Sequence, residues 1–261
     1  MPEHAPEVTH PRHARVLELV RERGFCSIEE LARTFEVTPQ TVRRDVRSLC
    51  ERGLLRRHHG GVGLPSSVEN VDYRDRRVQY LAEKRRIARA VAAEIPHHAS
   101  LFINIGTTTE EVARALAYHR GLRVITNNLN VAAILAGKED FEVIVAGGVV
   151  RSRDRGITGE ATVDLISQFK VDVGVIGISG IDEDGALLDF DYHEVRVARA
   201  IVENSRKVWL VTDHSKFGRE ALVRMGHLSQ IDALFTDREP PRAWAGVIEA
   251  ARVTVHVAPA G

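Results

Sequence analysis

Apolar residues over roughly the first sixty positions recur with helical spacing, then with the alternation of a short strand. Val16, Leu17 and Val20 share one face of a helix predicted from Arg12 to Arg23. Ser27 is placed to cap a second helix, with Glu30 completing a capping box, and Ile28, Leu31, Ala32 and Phe35 give it an inner face. A brief turn at Glu36-Val37 leads to Thr38, an N-cap followed by Pro39 at the first helical position, where its missing N–H costs nothing. The third helix directs Val42, Val46 and Leu49 inward and Gln40, Arg43, Arg44 and Arg47 outward. Gly53 ends it, and Leu54 to Gly61 predicts a strand and tight turn.

A different pattern starts near Leu101, where short apolar runs end in small polar residues. Leu101 to Ile105 ends at Gly106-Thr107-Thr108-Thr109, Val124-Ile125 at Thr126-Asn127-Asn128, and Val143 to Ala146 at Gly147-Gly148. Val173 to Ile178 ends at Ser179-Gly180, Trp209 to Val211 at Thr212-Asp213, and Ala233 to Phe235 at Thr236-Asp237. Helical stretches such as Val112 to Tyr118 and Val131 to Ala136 lie between them. The expectation is an α/β fold with a mostly parallel sheet, whose ligands bind at the carboxyl ends of the strands. Pro65, Ser66, Ser67 and the charged run Tyr73 to Arg77 break the apolar pattern. The expected organisation is therefore a winged helix-turn-helix domain over 1–63, a linker over 64–81, and a second domain over 82–261 that opens with a helix from Ala82 to Ile95.

Composition narrows the class. The 261 residues are 44% hydrophobic and 28% charged, enough for a sizeable core, and 36 basic residues balance 36 acidic ones. No apolar run is long enough to span a bilayer, and no basic region followed by an apolar one opens the chain, so no membrane association or secretion is expected. Two cysteines, Cys26 and Cys50, cannot staple a fold of this size, which favours a reducing compartment and a cytoplasmic location.

Charge is locally uneven. From Thr38 to His59, Arg43, Arg44, Arg47, Arg52, Arg56 and Arg57 face only Asp45 and Glu51, a surplus of four from six minus two. A solvated helix face would carry the same surplus, so spacing has to decide. A recognition helix offers its N-terminal residues to base edges while flanking cations hold phosphates. Gln40, Thr41 and Arg44 are then the base-reading candidates, with Thr38 at the helix start and Arg43 and Arg47 nearer the backbone. Arg56, Arg57 and His58 form the basic edge of a wing. The alternative is a three-helix unit used for protein contact.

At the strand ends, Gly106 to Thr109 is a phosphate candidate, because backbone N–H groups and hydroxyls sit where a helix begins. A cap without ligand would look the same, with Glu110 and Glu111 already supplying negative charge, but Thr126-Asn127-Asn128 shares the placement and two converging loops favour a ligand. Lys216 could supply a cation. Asp213-His214-Ser215 is no triad, since adjacent residues cannot converge on one bond. His193-Glu194 lacks surrounding metal spacing and suits hydrogen bonding, and Gly174 to Gly177 lacks the dinucleotide fingerprint. No catalytic residue, metal or cofactor is expected.

Arg12, Val16, Val20, Thr38, Thr41, Val42, Arg43, Arg44, Asp45 and Val46 resemble, in identity and spacing, the helix-turn-helix signature of DeoR-type bacterial repressors. Residues 57–61 resemble that family's wing. The second half resembles its sensor domain, which is related in fold to ribose-phosphate isomerases. Those enzymes carry a Gly-Ala-Asp-x-Val-Asp motif and a glycine-rich loop. Here Gly177 to Asp182 has Ser179 in place of the first catalytic aspartate, and Leu188 to His193 stands in place of the loop. Glu194 remains where the base would be. The resemblance implies binding without turnover, hence no enzyme. Stretches 126–131, 151–154, 159–162, 164–169, 177–184, 190–196 and 213–219 are similar to family members that govern glycerol catabolism, and the similarity runs to roughly Asp237. That similarity implies a homodimer or homotetramer that represses such genes on double-stranded operator DNA. It also implies release by glycerol 3-phosphate, with phosphate at Gly106 to Thr109 and Lys216 and hydroxyls at Asp182 and Glu194. A different effector such as a ketose phosphate, a phosphosugar isomerase carrying a DNA-binding domain, and an architectural DNA binder remain alternatives.

Overall fold

The computed structural model describes residues 10–23, 25–58, 61–64, 68 and 70–259, with His58 described in its backbone only. The chain divides into two compact units, 1–67 and 68–261.

The first unit contains α1 (Pro11–Arg23), β1 (Phe25–Ser27), α2 (Ile28–Thr34), α3 (Pro39–Glu51), β2 (Arg56–His58) and β3 (Gly61–Gly63). Both expected caps form. Ser27 and Glu30 make a reciprocal capping box, and Thr38 accepts from the Thr41 backbone N–H ahead of Pro39. Gly53 takes the left-handed conformation (φ 70°) that ends α3. Val16, Leu17, Val20, Leu31, Val42, Val46 and Leu49 are buried together with Cys26, Leu55 and Val62. Each large aliphatic in such a core stabilises the fold by about 1.5–3 kcal/mol. The three strands form an antiparallel sheet in the order β1-β3-β2. A Cβ on Gly61 would lie 2.4 Å from the Cys26 carbonyl oxygen, so only glycine lets these strands approach. Burial pushes the Cys50 thiol up to about 11, consistent with a packing role. The tip of the expected wing, His59-Gly60, and Pro65, Ser66 and Ser67 lie outside the described residues.

The second unit begins with α4 (Tyr73–Val78), α5 (Leu81–Glu94), β4 (Ser100–Ile103), α6 (Thr107–Ala115), β5 (Arg123–Thr126), α7 (Leu129–Leu135) and β6 (Glu142–Val145). There follow β7 (Val149–Val150), β8 (Ile157–Thr158), α8 (Glu160–Ile166), β9 (Val171–Ile176), β10 (Gly180–Ile181), β11 (Ala186–Asp189) and α9 (Tyr192–Glu203). β12 (Ser205–Val211), β13 (Val223–His227), β14 (Ala233–Thr236), α10 (Ala245–Ala251) and β15 (Thr254–Val257) complete it. Seven strands form one sheet in the order β15-β14-β12-β9-β4-β5-β6, with every neighbouring pair parallel. Strand residues alternate between two cores. Leu101 and Ile103 pack with Ile87, Val91, Val112 and Leu116 on one face, while Phe102 packs with Ile176, Val195, Leu210 and Ile248 on the other. From β4 the chain winds outward through β5 and β6, and from β9 it winds the opposite way through β12, β14 and β15. The β4/β9 junction is thus a topological switch point, the place where sheets of this kind open a crevice at the carboxyl ends of their strands.

Three features differ from the sequence expectation. The β4 ladder stops at Ile103 and α6 starts at Thr107, because the threonines form its first turn rather than a loop. Residues 245–257, within the expected second domain but with no element expected for them, form α10 and the seventh strand. Finally, the expected linker contains α4, which has no buried residue for an apolar pattern to reveal. Lys84 closes α4 by donating to the Arg76 and Gln79 carbonyls. No helix among the described residues is long and apolar enough to cross a membrane.

Candidate functional site

On α3, Gln40, Arg43, Arg44 and Arg47 are exposed, and their side chains make no hydrogen bond or ion pair to any described residue. Thr41 is half-buried, its Oγ1 2.9 Å from that of Thr38, so these two hydroxyls brace the helix start more than they project from it. Asp45 on the inner side is clamped by Arg12 (Nη2 to Oδ1, 3.1 Å) and His13 (Nε2 to Oδ1, 3.2 Å) of α1. Burial opposes its charge, but these partners hold its pKa below the usual range and keep its negative charge off the outer face. Arg57 is exposed and donates to the Arg43 carbonyl at 3.4 Å, tying β2 to α3, and Arg56 is half-buried beside it on the same strand. The His58 side chain lies outside the described residues.

At the carboxyl ends of the sheet, Gly106 (φ 156°) starts α6 without any side chain capping it. The hydroxyls of Thr107 and Thr108 have no partner among the described residues, although both residues are largely buried. Thr109 differs from its neighbours, because its hydroxyl is committed to the Asn104 and Gly106 carbonyls at 2.7 and 2.8 Å. The β5 end is likewise committed. Thr126 donates to the Ile103 carbonyl at 2.6 Å, Asn127 Nδ2 donates to the Ile157 carbonyl at 3.1 Å, and Asn128 caps α7. Gly148, exposed like Gly147, is a close-approach position where a Cβ would lie 2.3 Å from the Thr162 hydroxyl. Of these side chains, Asn127 keeps an unspent acceptor, because its buried Oδ1 has no partner among the described residues.

Around them stand two groups of opposite charge. The Asp213 carboxylate is fully buried, with Oδ1 accepting from the Ser215 N–H and Oδ2 lacking a hydrogen bond. Burial works against this charge, but Lys216 and Lys84 outweigh it and keep the pKa low. Burial in turn pushes the Lys216 ammonium down to about 7, and no hydrogen bond or ion pair from it exists among the described residues. His214 does not join Asp213; it pairs with Asp237 at 2.9 Å, and that carboxylate, against its burial, is held at about 2. The second group surrounds Arg151, which reaches Asp154 at 2.7 Å and Asp191 and Glu194 at 2.8 Å each. Burial and the nearby Asp189 push Glu194 up to about 7 despite its pairing with Arg151.

Asp182 is the one expected ligand residue that the structure separates from this group. It is exposed in the β10–β11 turn, where its carboxylate accepts from the Glu183 N–H at 2.9 Å. The carboxylate facing Glu194 is instead Asp189, which accepts from the Ser179 hydroxyl at 3.0 Å. Arg151, Asp154 and Asp189 were missed because apolar periodicity does not register which polar groups meet across the fold. The same holds for Tyr73, whose hydroxyl donates to Glu110 at 2.8 Å, and for Asn130, which donates to both. Among the described residues no group of three or more His, Cys, Asp or Glu is placed to hold a metal ion.

Residues 12–68 match the DeoR-like helix-turn-helix domain and residues 79–238 the DeoR C terminal sensor domain. The glycerol-3-phosphate regulon repressor of Escherichia coli is 59% identical over 230 residues, covering 88% of this chain and 91% of its own. Its namesake from Haemophilus influenzae is 55% identical, covering 88% and 89%. The HTH-type transcriptional repressor CsqR of Escherichia coli is 44% identical, covering 94% of each chain. Among solved structures, ribose 5-phosphate isomerase A from Neisseria gonorrhoeae aligns with a TM-score of 0.38 at 15% identity, covering 51% of this chain and 52% of its own. With a family model on each unit and long, highly identical repressor relatives, the chain belongs to the DeoR family of helix-turn-helix transcriptional repressors.

Proposed function

We propose that this repressor governs glycerol catabolism genes and leaves its operators when glycerol 3-phosphate occupies the strand-end crevice. The observation that carries this reading is the 59% identity to a glycerol-3-phosphate regulon repressor over 88% of the chain. The division of charge in the crevice supports it. The open start of α6, the unspent Thr107 and Thr108 hydroxyls and Lys216 suit a phosphoryl group. Glu194, pushed up to about 7 by burial and the nearby Asp189, can accept from and donate to glycerol hydroxyls. On the DNA side, Gln40 and Arg44 read bases while Arg43, Arg47 and Arg57 hold phosphates. A homodimer or homotetramer supplies the second recognition helix that a repeated operator requires, and the place of action is the cytoplasm.

Fluorescence anisotropy on DNA from upstream of glycerol catabolism genes, at fixed salt, tests the proposal. Release by glycerol 3-phosphate, with no release by glycerol, inorganic phosphate or fructose 1-phosphate, is expected. Tight operator binding that answers only to fructose 1-phosphate would replace the effector.

A further inference from the structure

We infer that Arg76, on α4, takes hold of the effector's phosphoryl group and thereby couples ligand binding to the segment that leads from the DNA-reading unit. The inference rests on the phosphate reading above and adds to it a ligand residue from outside the sheet.

Arg76 is incompletely satisfied where it stands. Its Nε donates to the Val71 carbonyl at 3.1 Å, and Nη2 lies 4.0 Å from the nearer Asp154 oxygen, too far for a hydrogen bond. Neither terminal nitrogen is hydrogen-bonded to a described residue, yet the side chain is only 19% exposed. Asp154 has little to offer it, because Arg151 already engages both carboxylate oxygens at 3.2 and 2.7 Å. Arg76 is thus a surplus cation at a site where the carboxylates are taken.

Its neighbours show what would satisfy it. Arg76 stands near enough to Lys216 to disfavour the ammonium's charge, and near enough to Asp189 and Glu194 to favour theirs. Through Asp154 it stands beside the Arg151 group that carries Glu194, while its charge is also felt at Lys216, and this suits a phosphoryl group whose polyol reaches Glu194. The terminal nitrogens of Arg76 and the Lys216 ammonium, none of them hydrogen-bonded to a described residue, repel one another until an anion joins them, and a guanidinium fork matches two phosphate oxygens at once. The helix is also tethered so that a shift of Arg76 is felt along it. The Arg76 carbonyl accepts from Lys84, Tyr73 donates to Glu110 in the first turn of α6, and Asn70 accepts from Arg219 at 2.8 Å.

The test uses the full-length protein and Arg76→Gln, with Arg76→Lys as a second variant that keeps the charge and loses the fork. Calorimetry with glycerol 3-phosphate, fructose 1-phosphate, inorganic phosphate and glycerol measures binding, and anisotropy measures operator release. Arg76→Gln should bind the effective phosphate about tenfold or more weakly, as expected for a lost charge-assisted hydrogen bond, with Arg76→Lys between it and wild type. Operator affinity without ligand should stay within about twofold, and saturating ligand should release the variant far less than wild type. If wild type responds to fructose 1-phosphate instead and Arg76→Gln is weakened for it, the effector assignment fails while the role of Arg76 stands. Wild-type binding and release in Arg76→Gln would overturn the inference. So would full release at saturation, or a wild-type protein that binds none of the three phosphates.

Discussion

The outer face of α3 and the strand-end crevice both concentrate charge, but they hold it in opposite ways. Gln40, Arg43, Arg44 and Arg47 come from one helix, stand in solvent and are bonded to no described residue. In the crevice, charges from α4, α9, β11 and the turns after β7 and β12 are drawn largely out of water, with three carboxylates on Arg151 alone. An exposed cationic face binds a polyanion by releasing counterions, so its residues act nearly independently and respond to salt. In a buried network an unpaired charge is costly, so a change at one member alters the balance at its neighbours. That difference suits one surface to contact and the other to switching.

The sharpest way to separate the two regions is to damage the core beneath only one. Leu31→Ala should destabilise the first unit by about 2–5 kcal/mol and abolish operator binding, while calorimetric binding of glycerol 3-phosphate persists. Parallel loss of both activities would show that the units do not fold independently. Next in size, Arg44→Ala should cost about 1–3 kcal/mol on the operator and much less on random DNA. An equal loss on both would reassign Arg44 to a phosphate. Arg57→Ala should weaken all DNA alike and reduce the slope of log affinity against log salt by about 0.9; an unchanged slope would remove it from the backbone contacts.

The smallest expected effect lies in the crevice and concerns pH. Lys216 is brought down to about 7 by burial, against Asp213, with Arg219, Lys84 and Arg76 adding to the fall. The protonated form that a phosphate needs is therefore lost as pH rises through about 7, in the window where Glu194 gains negative charge. Effector affinity should fall by a few-fold from pH 7 to 8.5, and Lys216→Arg, which stays charged, should flatten that decline without removing the part due to Glu194. A profile in the variant identical to wild type would take Lys216 out of the site.

The same contrast explains what the sequence made legible. The first unit's caps, inner face and outer cations are encoded within a helical turn or two, and the expected roles of Ser27, Thr38, Pro39, Val42 and Gly53 all appear in place. The parallel strands were legible from their apolar runs and small polar ends. The crevice was legible only as loops, because its bonds join residues far apart in the chain. Thr109 and Thr126 looked like ligand hydroxyls, but Thr109 bonds back to Asn104 and Thr126 bonds across to Ile103 of β4. Asp182 looked like a hydroxyl ligand alongside Glu194, yet the carboxylate whose charge Glu194 feels is Asp189, which accepts from Ser179. The segment 73–78 looked like a linker because charge carries no periodic signal, and its partners Glu110 and Asp154 sit some tens of residues away.

The central claim is that effector and operator binding are coupled through one molecule, and coupling is reciprocal by thermodynamic necessity. The most direct measurement is the affinity for glycerol 3-phosphate by calorimetry, with and without saturating operator duplex at the same salt and pH. The expected result is a weakening on the operator by the factor, about 5–150-fold, by which the effector weakens DNA binding. Equal affinity in the two states would contradict the claim, whatever either ligand does alone.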